Sequence, residues 1–128
     1  MKEIKIGATH TTEFVVTQDR LASVAGSGTL DVFATPWMIA FMELTALHCA
    51  APFMDEGETT VGTQVNVNHT AACGVGEKVY FTATIAEVDR KRIVFDVSAR
   101  TDKWEIGNGK HERFVIDIAK FCAKSGIK

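Results

Sequence analysis

One segment of the chain, between Thr35 and Pro52, carries apolar side chains on nearly every side of a helix. Thr35 is a good N-cap residue, and Pro36 then falls at the first helical position, where its missing N–H removes no hydrogen bond. Pro52 ends the segment because proline cannot continue a helix. A helix that is apolar all round is a buried one. We therefore predict a helix over residues 36–51 that the rest of the chain surrounds.

The remaining sequence shows the alternation of apolar and polar residues that is typical of β-strands. Phe14 and Val16 mark a strand within residues 8–17, and a short helix is expected over residues 19–25. Four more strands are predicted, at residues 59–72, 78–88, 93–101 and 104–119. Short turns connect these strands, so consecutive strands are expected to pair antiparallel.

One apolar helix and one antiparallel sheet pack most economically when the sheet curls around the helix. This α+β arrangement is the hotdog architecture. A length of 128 residues suits one such unit, so we expect a single domain over residues 1–128. A lone sheet on one helix leaves an edge strand and apolar surface uncovered. The sequence therefore favours a homodimer or a higher homo-oligomer.

Charge and cysteine content argue against several classes of protein. Lys and Arg number 14 against 16 Asp and Glu, a net charge of −2, whereas nucleic-acid binders show a basic excess. The N-terminus lacks the apolar run of a signal peptide, and no stretch approaches the ~18 apolar residues of a membrane span. We expect a cytoplasmic protein without a membrane partner. The three cysteines form no CxxC motif, so no metal site is expected.

Glu43 lies in the middle of the predicted helix, among apolar neighbours. Burying an unpaired carboxylate costs free energy, so this side chain is ion-paired, lines a polar cavity or stays protonated. A structural ion pair or a cavity-facing position accounts for it. The alternative is a catalytic carboxylate, since such groups cluster at functional sites.

His69 shares the face of its predicted strand with Val61, Thr63, Val65 and Val67, the face expected to meet the helix. A lone histidine on an apolar face is usually a core residue. With a carboxylate directed at the same interior, a general base oriented by that carboxylate becomes the alternative.

Thr35 is explained by capping alone, but the free N–H groups of a helix start also suit a developing oxyanion. Thr35 and Glu43 are eight residues apart, about 12 Å along a helix, and cannot hydrogen-bond directly. A site that uses both needs a bridging residue or two chains.

Arg113 has the opposite strand parity to Phe114 and Ile116 and points away from their face. A solvated charge is the favoured interpretation, and binding of an anionic group is the alternative. The other histidines, His111 among them, show no spacing typical of metal ligands.

Several sequence blocks resemble the fluoroacetyl-CoA thioesterase family of hotdog proteins, in order and spacing along nearly the whole chain. They are residues 34–38 (ATPWM), 42–43 (ME), 62–63 (GT), 67–72 (VNHTAA) and 105–113 (EIGNGKHER). The resemblance implies a homodimeric thioesterase that hydrolyses acyl-CoA and needs no cofactor, since CoA is part of its substrate. It assigns catalysis to Thr35, Glu43 and His69, a position near the thioester to Gly62, and a substrate-binding role to Arg113.

The chain departs from this family in the segment ahead of the helix. Residues 21–33 are smaller and more flexible than the aromatic-rich lid of the family member that acts on fluoroacetyl-CoA. Phe33, Trp37 and Phe41 near the helix start predict a compact apolar pocket with Phe33 contacting the substrate, and hence a short acyl group.

Two other functions are compatible with the same fold. A non-catalytic acyl-CoA-binding module would use the pocket but has no need for a glutamate facing a histidine. A hotdog hydratase or dehydratase would use a histidine and a carboxylate, but its usual Asp-x-x-x-x-His pattern is absent. Both rank below hydrolysis.

Overall fold

The computed structural model describes residues 1–127, so that Lys128, the last residue of the predicted domain, lies outside the described part. Its strands are β1 (Thr9–Val15), β2 (Glu58–His69), β3 (Lys78–Asp89), β4 (Arg92–Arg100) and β5 (Glu105–Asp117). Its helices are α1 (Ala22–Ala25), α2 (Thr35–Ala50) and α3 (Ile118–Ser125), with 3₁₀ turns at Gln18–Arg20 and Ala51–Phe53. The strands form one antiparallel sheet in the order β1-β3-β4-β5-β2.

The sheet wraps around α2, as predicted. α2 packs mainly on β3 and also contacts β1, β2 and β4. Met38 and Met42 on α2 meet Phe81 and Phe95 from the sheet in a core whose side chains are fully buried. No helix within residues 1–127 is long and apolar enough to cross a membrane.

Only one face of α2 is covered. Met38, Met42 and Ala46 are buried, whereas Ile39 and Leu44 on the other side are only half-buried. The prediction of a helix buried on all sides is therefore wrong for a single chain. A sheet of five strands curls around one side of the helix and leaves the opposite side open.

β2 contains a β-bulge, where its register against β5 shifts between Gly62 and Gln64. An extra residue in one strand reverses the alternation of its side chains beyond that point. Thr60 is buried and Val61 is not, so Val61 does not share the face of His69 as predicted. The bulge is invisible to a strict two-residue period.

The last predicted strand ends two residues early, at Asp117, and is followed by α3, a helix that was not predicted. The Asp117 carboxylate accepts a hydrogen bond from the Lys120 amide at 3.0 Å and caps the helix. Aspartate as an N-cap is the signal that marks this end.

Candidate active site

Thr35 is the first residue of α2 and not its cap. Ala34 is the N-cap residue, and its carbonyl accepts the Met38 amide at 3.0 Å. Within residues 1–127 no side-chain hydrogen bond caps the start of this helix, so the predicted capping role of Thr35 is wrong. Its hydroxyl instead lies 2.7 Å from Nδ1 of His69, at the end of β2. Helix start and strand end thus place a hydroxyl beside an imidazole.

His69 is suited to accept a proton from that hydroxyl. Burial lowers the pKa of its imidazole from 6.5, so the ring is neutral near pH 7. Its Nε2 is buried and has no hydrogen-bond partner in the described part of the chain. When Nε2 carries the hydrogen, the lone pair of Nδ1 faces the Thr35 hydroxyl.

A cavity of about 310 Å³ opens beside the Thr35–His69 pair. Its walls come from the strap of residues 21–33 and from the turn after β2, and small side chains dominate them: Ala22, Ser27, Val32, Ala71 and Ala72. Phe33 borders the cavity, but its ring is 1% exposed and packs near Phe14 and Phe81 in the core. The strap is closed by a hydrogen bond from Ser23 Oγ to Asp31 Oδ1 at 2.6 Å.

A second group of polar side chains lies further along α2 and the sheet. We call it the Glu43 cluster: Glu43, Thr60, His111 and Arg113. Arg113 Nη1 lies 3.7 Å from Glu43 Oε2. Arg113 Nε and Nη2 donate to the side-chain and backbone oxygens of Thr60, both at 2.8 Å.

Arg113 is only 6% exposed, so its prediction as a solvated charge is wrong. It pairs across the sheet with Ile93, which is fully buried, and therefore points to the helix side. Phe114, on the opposite face of β5, is 39% exposed. An arginine is accepted on the inner face because its donors find partners there.

Glu43 is less enclosed than the sequence suggested. Its side chain is 40% exposed, because it lies on the open side of α2. The ion pair with Arg113 is one of the arrangements anticipated for this carboxylate. A half-exposed carboxylate beside a buried guanidinium can meet a ligand that approaches the open helix face.

His111 belongs to the same cluster and was missed in the sequence. Its ring is 1% exposed, with Nδ1 2.8 Å from the carbonyl oxygen of Gln64 and Nε2 3.2 Å from Arg113 Nη1. The available signal was its spacing of two from Arg113, which puts both on one strand face. A metal-ligand spacing pattern does not include that relation.

Gly62 leaves room for the cluster. A Cβ at this position would lie 2.8 Å from Glu43 Oε2 and 3.2 Å from His111 Cε1. The nearest atom is the end of a flexible side chain, which can move aside at little cost to stability, but the carboxylate is then displaced.

If the chain hydrolyses acyl-CoA as the family resemblance implies, Gly62→Ala is expected to lower kcat/KM for that reaction by about 10- to 100-fold, since displacement of a reacting group by about an ångström disturbs the geometry of such a site. The melting temperature should change little. Gly74→Ala is the matched control, because a Cβ there meets nothing within 4 Å. Equal activity of the two variants in steady-state assays contradicts this role for Gly62.

The Thr35–His69 pair and the Glu43 cluster do not touch within one chain. Thr35 and Glu43 stand about 12 Å apart along α2, and no hydrogen bond or ion pair in residues 1–127 links the two groups. This separation was anticipated.

Comparison with known proteins shows which family the chain is related to. The sequence model of the fluoroacetyl-CoA-specific thioesterase family matches residues 16–119. The fluoroacetyl-CoA thioesterase of Streptantibioticus cattleyicolor is 43% identical over 94 residues, which cover 73% of this chain and 68% of that protein. A solved structure of the fluoroacetyl-CoA thioesterase FlK superposes with a TM-score of 0.92 at 34% identity, covering 98% of this chain and 97% of that one.

A variant of FlK in complex with fluoroacetate and CoA also superposes, with a TM-score of 0.87 at 35% identity over 92% of this chain and 99% of that chain. The predicted hotdog fold is thereby confirmed. The chain belongs to the fluoroacetyl-CoA-specific thioesterase family.

Proposed function

We propose that this protein is a thioesterase that hydrolyses acyl-CoA to a free acid and CoA. The observation that carries this function is the 2.7 Å contact between the Thr35 hydroxyl and His69 Nδ1, beside a cavity at the start of α2. A hydroxyl next to a neutral imidazole is the arrangement that acyl transfer needs.

In this mechanism Thr35 Oγ1, or a water that it holds, attacks the thioester carbon while His69 takes the proton. The negative charge that develops on the carbonyl oxygen lies near the start of α2, where the helix dipole stabilises it. The carbon–sulfur bond then breaks, and His69 returns the proton to the CoA sulfur. Attack by water gives the free acid directly. Attack by Thr35 leaves an acyl ester on Oγ1, and a water deprotonated by His69 then hydrolyses this ester, which frees the acid and restores the Thr35 hydroxyl. Glu43 supplies a carboxylate that orients His69, or attacks the carbon itself to give a mixed anhydride that water then hydrolyses.

We further propose that the working unit is a homodimer in which each site combines two chains. Support comes from β2, a 12-residue strand at the edge of the sheet, and from the open face of α2. Unpaired edges and apolar faces of this kind favour association. Pairing two chains through them lets the Thr35–His69 pair of one chain meet Glu43 of the other.

The acyl group is proposed to be short. The cavity of about 310 Å³ is walled by small side chains, with Phe33 packed at its base. The first experiment measures free-thiol release from acetyl-, butyryl-, octanoyl- and benzoyl-CoA. We expect kcat/KM to fall by about tenfold or more from the short to the long or aromatic groups, because the walls must part to admit them.

His69→Ala is the control in this assay and is expected to release thiol at least about 10²-fold more slowly than the wild type. A folded wild-type protein that binds CoA esters but hydrolyses none of them would instead be a binding module. Release of thiol at equal rates from all four esters contradicts the short-chain proposal alone. A cytoplasmic location and the absence of a cofactor stay predictions from the sequence.

A further inference from the structure

The two ring nitrogens of His111 face groups of opposite kind. Nδ1 lies 2.8 Å from the carbonyl oxygen of Gln64, which can only accept a hydrogen bond. Nε2 lies 3.2 Å from Arg113 Nη1, which can only donate one. Both contacts are satisfied by a single state of the ring, neutral with its hydrogen on Nδ1.

The surroundings support that state. Burial is the main cause that lowers the pKa of His111, and the positive charge of Arg113 adds to it. The Gln64 carbonyl, Glu43 and Glu112 act in the opposite direction. A protonated ring would turn an N–H towards the guanidinium and lose the contact between the two side chains.

The guanidinium of Arg113 is held from two directions. Thr60 accepts from Nε and Nη2, which fixes one edge. His111 accepts from Nη1, the same nitrogen that faces Glu43 at 3.7 Å. We infer that His111 is a positioning residue. The Gln64 carbonyl orients its neutral ring, and the ring accepts a hydrogen bond from Arg113 that fixes the guanidinium beside the Glu43 carboxylate.

The bulge in β2 helps to orient the His111 ring. The register shift lies between Gly62 and Gln64, and the Gln64 carbonyl is the group that orients the ring. Gly62, on the other side of the shift, leaves the space that the ring and the carboxylate occupy, since a Cβ there would lie 3.2 Å from His111 Cε1 and 2.8 Å from Glu43 Oε2. The irregular part of the strand is thus the part that sets the tautomer of His111.

The ring state is tested on the wild-type protein by ¹⁵N NMR of labelled histidine. Near pH 7 we expect the ¹⁵N resonances of a neutral His111 ring with its hydrogen on Nδ1. The ring should become an imidazolium only at a pH below the ordinary pKa range of histidine. An imidazolium, or a ring protonated at Nε2, overturns the inference. This measurement does not depend on turnover, so it stands apart from the proposed thioesterase activity.

The positioning role is tested with two matched variants. His111→Gln places an amide oxygen near the Nε2 position and keeps an acceptor for Arg113, whereas His111→Asn keeps a donor to the Gln64 carbonyl and loses that acceptor. In acyl-CoA hydrolysis, which rests on the proposed function, we expect kcat/KM to fall by about tenfold in His111→Asn and by no more than about threefold in His111→Gln.

Two further results decide whether His111 acts through Arg113. In an Arg113→Lys background, His111→Asn is expected to cause no additional loss, since the ring acts through the guanidinium. Equal losses in His111→Gln and His111→Asn, both with wild-type urea midpoints, overturn the inference. If the wild type hydrolyses no ester, the proposed function fails and the ring state measured by NMR still decides this point.

Discussion

Replacement of His69 by alanine is expected to lower kcat for acyl-CoA hydrolysis by about 10²- to 10⁴-fold, the contribution of a positioned general base. The imidazole is the group within hydrogen-bond reach of the Thr35 hydroxyl, at 2.7 Å. It lies at the end of β2 and is only half-buried, so its loss leaves the sheet intact. Steady-state thiol release and circular dichroism measure the two effects separately.

His48→Ala is the control for this variant. His48 lies on α2, like Thr35, but is exposed and contacts only the ring of His10 among the aromatic groups described for residues 1–127. It should hydrolyse acyl-CoA at the wild-type rate. A folded His69→Ala protein with kcat within about threefold of wild type would show that His69 is not the base.

Glu43→Gln is expected to lower kcat by about 10²-fold or more while stability hardly changes, because the amide keeps the shape of the side chain and removes its charge. The ion pair with Arg113 is 3.7 Å long and Glu43 is 40% exposed, so water screens much of the charge that the amide removes; the buried Arg113 is the partner whose stability depends on the remaining contacts. Arg113 keeps its hydrogen bonds to Thr60 and His111. Catalysis and folding should therefore separate in this variant.

Glu13→Gln is the matched control for the loss of an ion-paired carboxylate, since Glu13 pairs with Lys78 at 3.5 Å on the edge of the sheet. Its kcat should equal that of the wild type. The same kcat in Glu43→Gln and Glu13→Gln, measured at saturating acyl-CoA, rules out a catalytic part for Glu43.

The proposed two-chain site is tested by combining the two inactive variants. A heterodimer of Glu43→Gln and His69→Ala chains, isolated through two affinity tags, contains one intact site if each site takes its histidine and its glutamate from different chains. It should then show about half of the wild-type activity per dimer. If each site lies within one chain, both sites are broken and the heterodimer is inactive.

The outline of the fold could be predicted because its strongest signals are local. The prolines at positions 36 and 52 bound α2 to within a residue, and alternation locates each strand to within a few residues. Short turns then leave antiparallel pairing as the economical topology. The catalytic assignments of Thr35 and His69 came from residue type and family likeness.

The contacts of the site could not be predicted, because they join elements that are distant in sequence. Thr35 meets His69 across 34 residues, and Arg113 finds Thr60 across 53. Strand alternation alone treats an arginine as solvated, since it contains no information about a partner on another strand. The buried His111 comes within reach of the Gln64 carbonyl only once β2 and β5 are paired.

The bulge at Gly62–Gln64 also limits how the length of this gene segment can vary. Loss of the extra residue, Thr63, would remove the bulge and restore a strict two-residue alternation with Thr60, Gly62, Val67 and His69 still on one face. Loss of one residue anywhere else in the strand would turn the side chains beyond the deletion to the opposite face. Away from the bulge, insertions and deletions in this strand are therefore expected only in pairs of residues.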